Sequence, residues 1–145
     1  MTQARTWLTA NTEHEGFPIY FRRPHIEVSE FATLQPRYPR LLIVTHVLKH
    51  VEENGLPRSD YNASLESFDM TLAAPFEDET NGVIALIETF AGKRTYYVYL
   101  APLFDADAFI RHAQDRFPDE RFSYSVDEDR AWRLFRGYAA DFDFP

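Results

Sequence analysis

The 145-residue chain has no cysteine. That single absence excludes disulfides, thiolate nucleophiles and cysteine-ligated zinc. Glycine is scarce as well, with 5 in all, and none of them sits in a loop of the kind that cradles phosphate. Lys49 and Lys93 are the only 2 lysines. No stretch approaches the ~18 consecutive apolar residues of a membrane span. Met1 to Thr12 lacks the basic region and apolar run of a signal peptide. The expectation is a cytoplasmic protein with no membrane association, in which the sequon Asn62-Ala63-Ser64 has no acceptor role.

What is present is apolar and acidic. Hydrophobic residues make up 45% of the chain and aromatic ones 16%, enough to build a core without a staple. The net charge is −8, and it is uneven. Residues 1–72 hold 7 basic and 9 acidic side chains, giving −2, whereas residues 73–145 hold 8 and 14, giving −6. Such a field repels the phosphates of nucleic acid and suits a protein partner or simple solubility.

Periodicity places the elements. Trp7 to Ala10 and Phe17 to Arg22 read as an N-terminal hairpin joined through Asn11 to Gly16. Pro18 suggests that the second of these strands lies at a sheet edge. Pro24 to Pro39 reads as a loop with one short helical turn at Ser29 to Leu34. Arg40 to His50 carries the β-branched density of a central strand. Tyr61, Leu65, Phe68, Leu72 and Phe76 then form one apolar stripe on a helix that starts near Asp60 or Asn62. Val83 to Phe90 and Thr95 to Leu100 make a hairpin around Ala91-Gly92-Lys93-Arg94. Asp105 caps a second helix, buried through Phe109, Ile110, Ala113 and Phe117. Arg121 to Val126 alternates as a half-buried strand, and a short helix from Asp129 to Tyr138 turns Trp132 and Phe135 inward.

Strand, helix, strand, strand, helix, strand is the βαββαβ order of an α+β, ferredoxin-like fold. The predicted architecture is one domain. Residues 1–35 form a hairpin and loop, 40–127 a four-stranded antiparallel core with two helices on one face, and 129–145 a C-terminal helix and tail. The other sheet face is left exposed or half-covered.

The order of several short motifs carries a resemblance over nearly the whole length. They are Trp7, Gly16-Phe17-Pro18, Asn54-Gly55-Leu56-Pro57, Leu65-Glu66, Arg94 ahead of Tyr96-Tyr97-Val98-Tyr99, and Asp129 three residues before Trp132. In this punctuation the chain resembles the bacterial family known as domain of unknown function 695. It departs from the family pattern slightly at Phe68-Asp69. The family implies no catalytic residue. A more distant similarity to the B-class inhibitors of ribonuclease E, acidic proteins of ferredoxin-like fold, implies protein binding by analogy.

The candidate chemistry is thin. On a helix, His46, His50 and Glu53 would share a face as a zinc constellation. On a strand the two histidines stand roughly 13 Å apart and cannot share an ion. The run Leu41 to Val44 favours the strand, so no metal and no cofactor are expected. Asp105-x-Asp107 and Asp127-Glu128-Asp129 lack the further ligands and glycine of a calcium loop. Glu66 and Glu88 are a conceivable carboxylate pair that nothing in the sequence brings together. No serine lies in a nucleophile motif, so no catalytic residue is assigned. Arg94, Tyr97 and Tyr99 are the candidate interaction surface, because aromatics and arginine dominate protein interfaces. The alternative packs these tyrosines under the hairpin and Trp132. The expected function is therefore a non-catalytic protein-interaction or regulatory module, with a small-ligand pocket between sheet and hairpin as the other reading.

Overall fold

A computed structural model describes residues 7–26 and 28–142, with the side chains of Val28 and of residues 138–142 outside the description. The chain forms an α+β structure around one antiparallel sheet. The strands are β1 (Trp7–His14), β2 (Phe17–Pro24), β3 (Arg40–Val47), β4 (Gly82–Phe90), β5 (Lys93–Leu100) and β6 (Arg121–Glu128). The helices are α1 (Val28–Arg37), α2 (Ser59–Ser64), α3 (Glu66–Ala73), α4 (Ala106–Arg116) and α5 (Arg133–Phe142). The strand order is β1-β2-β4-β5-β3-β6. The sheet thus has six strands where four were expected. The N-terminal hairpin is part of it, because Tyr20, Phe21 and Arg22 of β2 pair with Thr89, Glu88 and Ile87 of β4. This order differs from that of a simple four-stranded ferredoxin-like sheet.

Two hairpins turn on two residues each. Glu15-Gly16 has φ of +52° and +84°, and Ala91-Gly92 has +53° and +83°. Positive φ at both positions matches the turn twist to that of the flanking strands. β1 therefore runs on to His14, and Lys93 and Arg94 belong to β5 rather than to the turn. β2 is an interior strand, contrary to the reading of Pro18. Pro18 is tolerated because β4 pairs only from Tyr20 onward, so no ladder donor is missing there.

Both faces of the central strands are covered. On one, Phe68 and Leu72 of α3 and Ala106, Ile110 and Ala113 of α4 pack on Leu42, Val44, Tyr96, Val98 and Phe122. On the other, Leu34 of α1 and Phe135 of α5 join Trp132 over Phe21, Leu41, Leu86, Tyr97 and Tyr99. The expected exposed face is covered for a physical reason: the segment read as mostly loop is a ten-residue helix, α1. Its Pro36 lies in the last turn, and its Phe31 meets Trp132 edge-on, with ring centroids 5.3 Å apart. Tertiary packing outweighs the weak local signal.

The stripe Tyr61, Leu65, Phe68, Leu72 and Phe76 is buried throughout, as its spacing predicts. The helix carrying it is broken at Leu65, whose ψ of −4° ends α2 and starts α3. Neither Asp60 nor Asn62 caps α2, which Arg58 precedes with no side-chain cap. Asp105 does cap α4, accepting from the Ala108 amide at 3.0 Å. Asp107 takes the Tyr124 hydroxyl, so both members of that acidic pair have structural partners.

Trp132 anchors the second face. It is fully buried, stacks on Tyr99 at 4.0 Å between ring centroids, and donates from Nε1 to the Tyr38 carbonyl at 2.8 Å. Asp129 holds it there, accepting from the Tyr99 hydroxyl at 2.7 Å and from the amides of Arg133 and Leu134 that open α5. The helix consequently begins at Arg133, four residues later than expected. Trp132→Ala should lower the unfolding free energy by about 3–5 kcal/mol, the usual cost of deleting a buried large aromatic, read as a fall in the urea midpoint.

Candidate functional site

Register determines which side chains meet on the face that carries α3 and α4. Directly opposed residues of an antiparallel sheet share a face. One row crosses all six strands as Asn11, Tyr20, Thr89, Arg94, His46 and Phe122. The adjacent row runs Thr9, Arg22, Ile87, Tyr96, Val44 and Tyr124. The helices cover the inner members of both rows. The outer members lie on β1 and β2, where Thr9, Tyr20 and Arg22 are exposed.

The corner between this open floor and the flank of α2 and α3 is a cleft of about 710 Å³. Tyr20, Arg22, Ile87 and Thr89 form its floor, Asn62, Glu66, Asp69 and Met70 its wall, and Leu56-Pro57 one end. Gly55 places that end. Its φ is +85°, its carbonyl accepts from the Gly92 amide at 2.8 Å, and a Cβ there would lie 2.7 Å from the Ala91 Cα. Only glycine allows the loop to lie so close against the β4–β5 turn. The Asn54-Gly55-Leu56-Pro57 motif is therefore a clamp that sets the cleft's end.

Arg94 sits at the base of the corner, where floor meets wall. Its Nε donates to Thr89 Oγ1 at 3.1 Å, Nη1 to Asp69 Oδ2 at 3.3 Å and Nη2 to Asn62 Oδ1 at 2.8 Å. Asp69 also accepts from the buried Tyr96 hydroxyl, and Arg22 approaches it at 3.8 Å. Burial, with the Asp69 charge beside it, holds the Tyr96 phenol well above its ordinary range. This hub ties β4 and β5 to α2 and α3.

A second polar cluster lies further along the Arg94 row. His46, with no exposed surface, shares a 2.8 Å hydrogen bond between Nε2 and Glu120 Oε1. The same oxygen accepts from the Tyr61 hydroxyl at 2.8 Å, while Lys49 Nζ pairs with Oε2 at 2.7 Å. Burial lowers the His46 pKa despite the Glu120 carboxylate, which acts the other way. Burial raises the Glu120 carboxyl, but the hydrogen bonds from Lys49, Tyr61 and His46 outweigh it and leave the group below its ordinary value. Burial pushes the Tyr61 phenol up to about 12. A neutral imidazole beside a triply donated carboxylate pins α2 and the Glu120 loop to β3, while His46 Nδ1 is buried without a hydrogen-bond partner.

The candidate surface is dispersed by this geometry. Arg94 faces α3, whereas Tyr97 and Tyr99 face α1 and α5, and all three are buried. The alternation of a strand separates them, so the expectation that they lie along one accessible face is corrected. Tyr99 packs under Trp132 as the alternative reading had it, while Trp7 is 42% exposed and covers neither tyrosine. Burial, with the hydrogen bond to Asp129, moves the Tyr99 phenol strongly upward. Strand β3 runs to Val47, which overturns the helical alternative in which His46, His50 and Glu53 share a face. Glu66 lines the cleft, while Glu88 pairs with Phe21 and Thr95 on the opposite face, so the two carboxylates do not form a pair.

Sequence reasoning missed Asp69, Glu120 and the cleft-facing role of Arg22. The signal available for Asp69 was its place beside Phe68 on the helix stripe, one position around from the buried side. Glu120 carried none, because a carboxylate in a polar turn is the usual solvated case.

An α+β sheet with a cleft at one corner defines a class of protein but no chemistry. The chain belongs to DUF695, a family of unknown function, whose model matches residues 5–139. No curated protein and no solved structure matches it. Among the described residues, no helix is long and apolar enough to cross a membrane.

Two outcomes are expected of the polar clusters. Unfolded histidine takes up a proton near its ordinary 6.5, while folded His46 resists it. Stability should therefore fall as pH drops below about 6.5, with Glu120 adding a further loss only below 4.5. Urea midpoints at pH 7.5 and pH 5.5 should diverge in the wild type, and by less in His46→Gln. Arg94→Met should cost about 1–3 kcal/mol, because Thr89 Oγ1, Asp69 Oδ2 and Asn62 Oδ1 all lose the guanidinium that donates to them, again measured by urea unfolding.

Proposed function

We propose that this chain is a non-catalytic ligand-binding domain that holds a small molecule in the cleft between the N-terminal hairpin and α2–α3. The carrying observation is the cleft itself. Its volume of about 710 Å³ falls within the range of small-molecule sites, roughly 300–1,000 Å³. An ordered hub of Arg94, Asp69 and Asn62 supports it from beneath, as a site that must be preorganised requires. On this reading the protein works in the cytoplasm, and residues 40–127 are a ferredoxin-like core to which the hairpin adds the floor of the site.

A second reading is the protein-interaction module. The exposed aromatics Trp7, Phe17 and Tyr20 on the hairpin favour it, as does the net charge of −8. The two readings part on one measurement. Thermal unfolding of the purified chain is followed against a panel of amino acids, organic acids, nucleotides and sugars. At least one class should raise the midpoint. Met70→Trp, which fills the cleft from a wall position 61% exposed, should abolish the rise while leaving the unliganded midpoint in place. A panel without effect, or a rise that survives Met70→Trp, overturns the cleft.

A further inference from the structure

The charged groups of the cleft differ in how far the protein itself satisfies them, and this difference selects a ligand. Arg94 is committed: three of its donors already serve Thr89, Asp69 and Asn62. Arg22 is not. Its single charged contact among the described residues is Asp69 at 3.8 Å, beyond hydrogen-bond reach, and its side chain is 44% exposed on the cleft floor. Asn62 adds a second donor, because its Oδ1 accepts from Arg94 and its Nδ2 is thereby turned away from that guanidinium. An amide nitrogen and a planar guanidinium with free N–H groups suit a planar anion.

The anion must carry little charge. Glu66 stands exposed on the wall, Asp69 lies at the base, and the whole chain is at −8. A doubly charged phosphate meets that field twice over, a carboxylate once. Beside Arg22 the cleft is apolar: the Tyr20 ring is 45% exposed, Met70 is 61% exposed, and Ile87 lies between β2 and β5 on the floor. A molecule that leaves its carboxylate on Arg22 can lay an aromatic or aliphatic body across these side chains.

Resting on the cleft reading above, we propose that the ligand is an organic monocarboxylate with an apolar body, bound through Arg22 and Asn62 with Tyr20 and Met70 against the body. Three probes sharing one ring separate the classes: phenylacetate, phenethylamine and phenyl phosphate. Each is titrated into the nitrogen-15-labelled chain while backbone amides are followed by NMR. Phenylacetate should move the amides of Tyr20, Arg22, Asn62 and Thr89 saturably. The amine and the phosphate ester should bind at least about tenfold more weakly, the worth of one lost charge-assisted hydrogen bond. Arg22→Gln, at an exposed position that the fold does not need, should weaken phenylacetate by a similar factor. Equal or tighter binding of either other probe overturns the carboxylate assignment, as does unchanged phenylacetate binding by Arg22→Gln. If a member of the thermal panel acts through the cleft while phenylacetate moves no cleft amide, this inference fails and the cleft reading stands. If the panel has no effect, both fail.

Discussion

Strand β5 is buried on both faces yet carries polar groups toward each, and the rest of the structure is arranged around satisfying them. Arg94 and Tyr96 reach one side and Tyr99 the other. A buried guanidinium or phenol without a partner costs more than its hydrogen bond returns. Two aspartates meet the demand from outside the sheet. Asp69 on α3 takes Arg94 and Tyr96, and Asp129 before α5 takes Tyr99. Each is also the point where a helix is aligned: Asp69 fixes α3 over the sheet, and Asp129 accepts the first amides of α5. The placement of both helices follows from the polar needs of one central strand.

This constraint separates what the sequence made legible from what it hid. Strands β3 to β6 and helix α4 were readable because each has a strong period and a turn or cap at its end, as at Asp105 and Gly92. The stripe from Tyr61 to Phe76 gave the buried side of α2 and α3, although the break at Leu65 left no mark in it. Helix α1 was hidden because its helicity depends on packing against Trp132 and Phe135, which lie about a hundred residues further on. The candidate surface failed for the opposite reason. Arg94, Tyr97 and Tyr99 were grouped by closeness along the chain, where the pleat sends them to opposite sides. The cleft was not legible: the hairpin extends the sheet instead of covering it, and the cleft lies between that extension and the flank of α2 and α3, which only the tertiary fold brings together.

The motifs on which the resemblance was read have mechanical roles here. Gly16 turns the first hairpin, Gly55 closes against Ala91, and Asp129 and Trp132 hold down the last helix. Arg94 and the Leu65-Glu66 pair instead bear on the cleft, one from its base and the other from its wall. In this chain those motifs are therefore mostly the grammar of the fold, with a smaller part concentrated at one corner.

Strand β4 carries an irregularity between Ile84 and Leu86 where its pairing with β5 shifts by one residue. Ala85, fully buried, is the surplus residue. Before it, Val83 pairs with Tyr99 and Ile84 with Val98; after it, Leu86 pairs with Tyr97 and Ile87 with Tyr96. A strictly alternating strand would turn Val83 and Ile87 the same way, but here they face opposite sides. The parity change is what turns Ile87 and Thr89 toward the cleft while Val83 stays under Tyr99. It also makes Ala85 the residue of β4 whose removal would leave both halves in register with β5, where a deletion nearer the end of the strand would turn the floor of the cleft inside out.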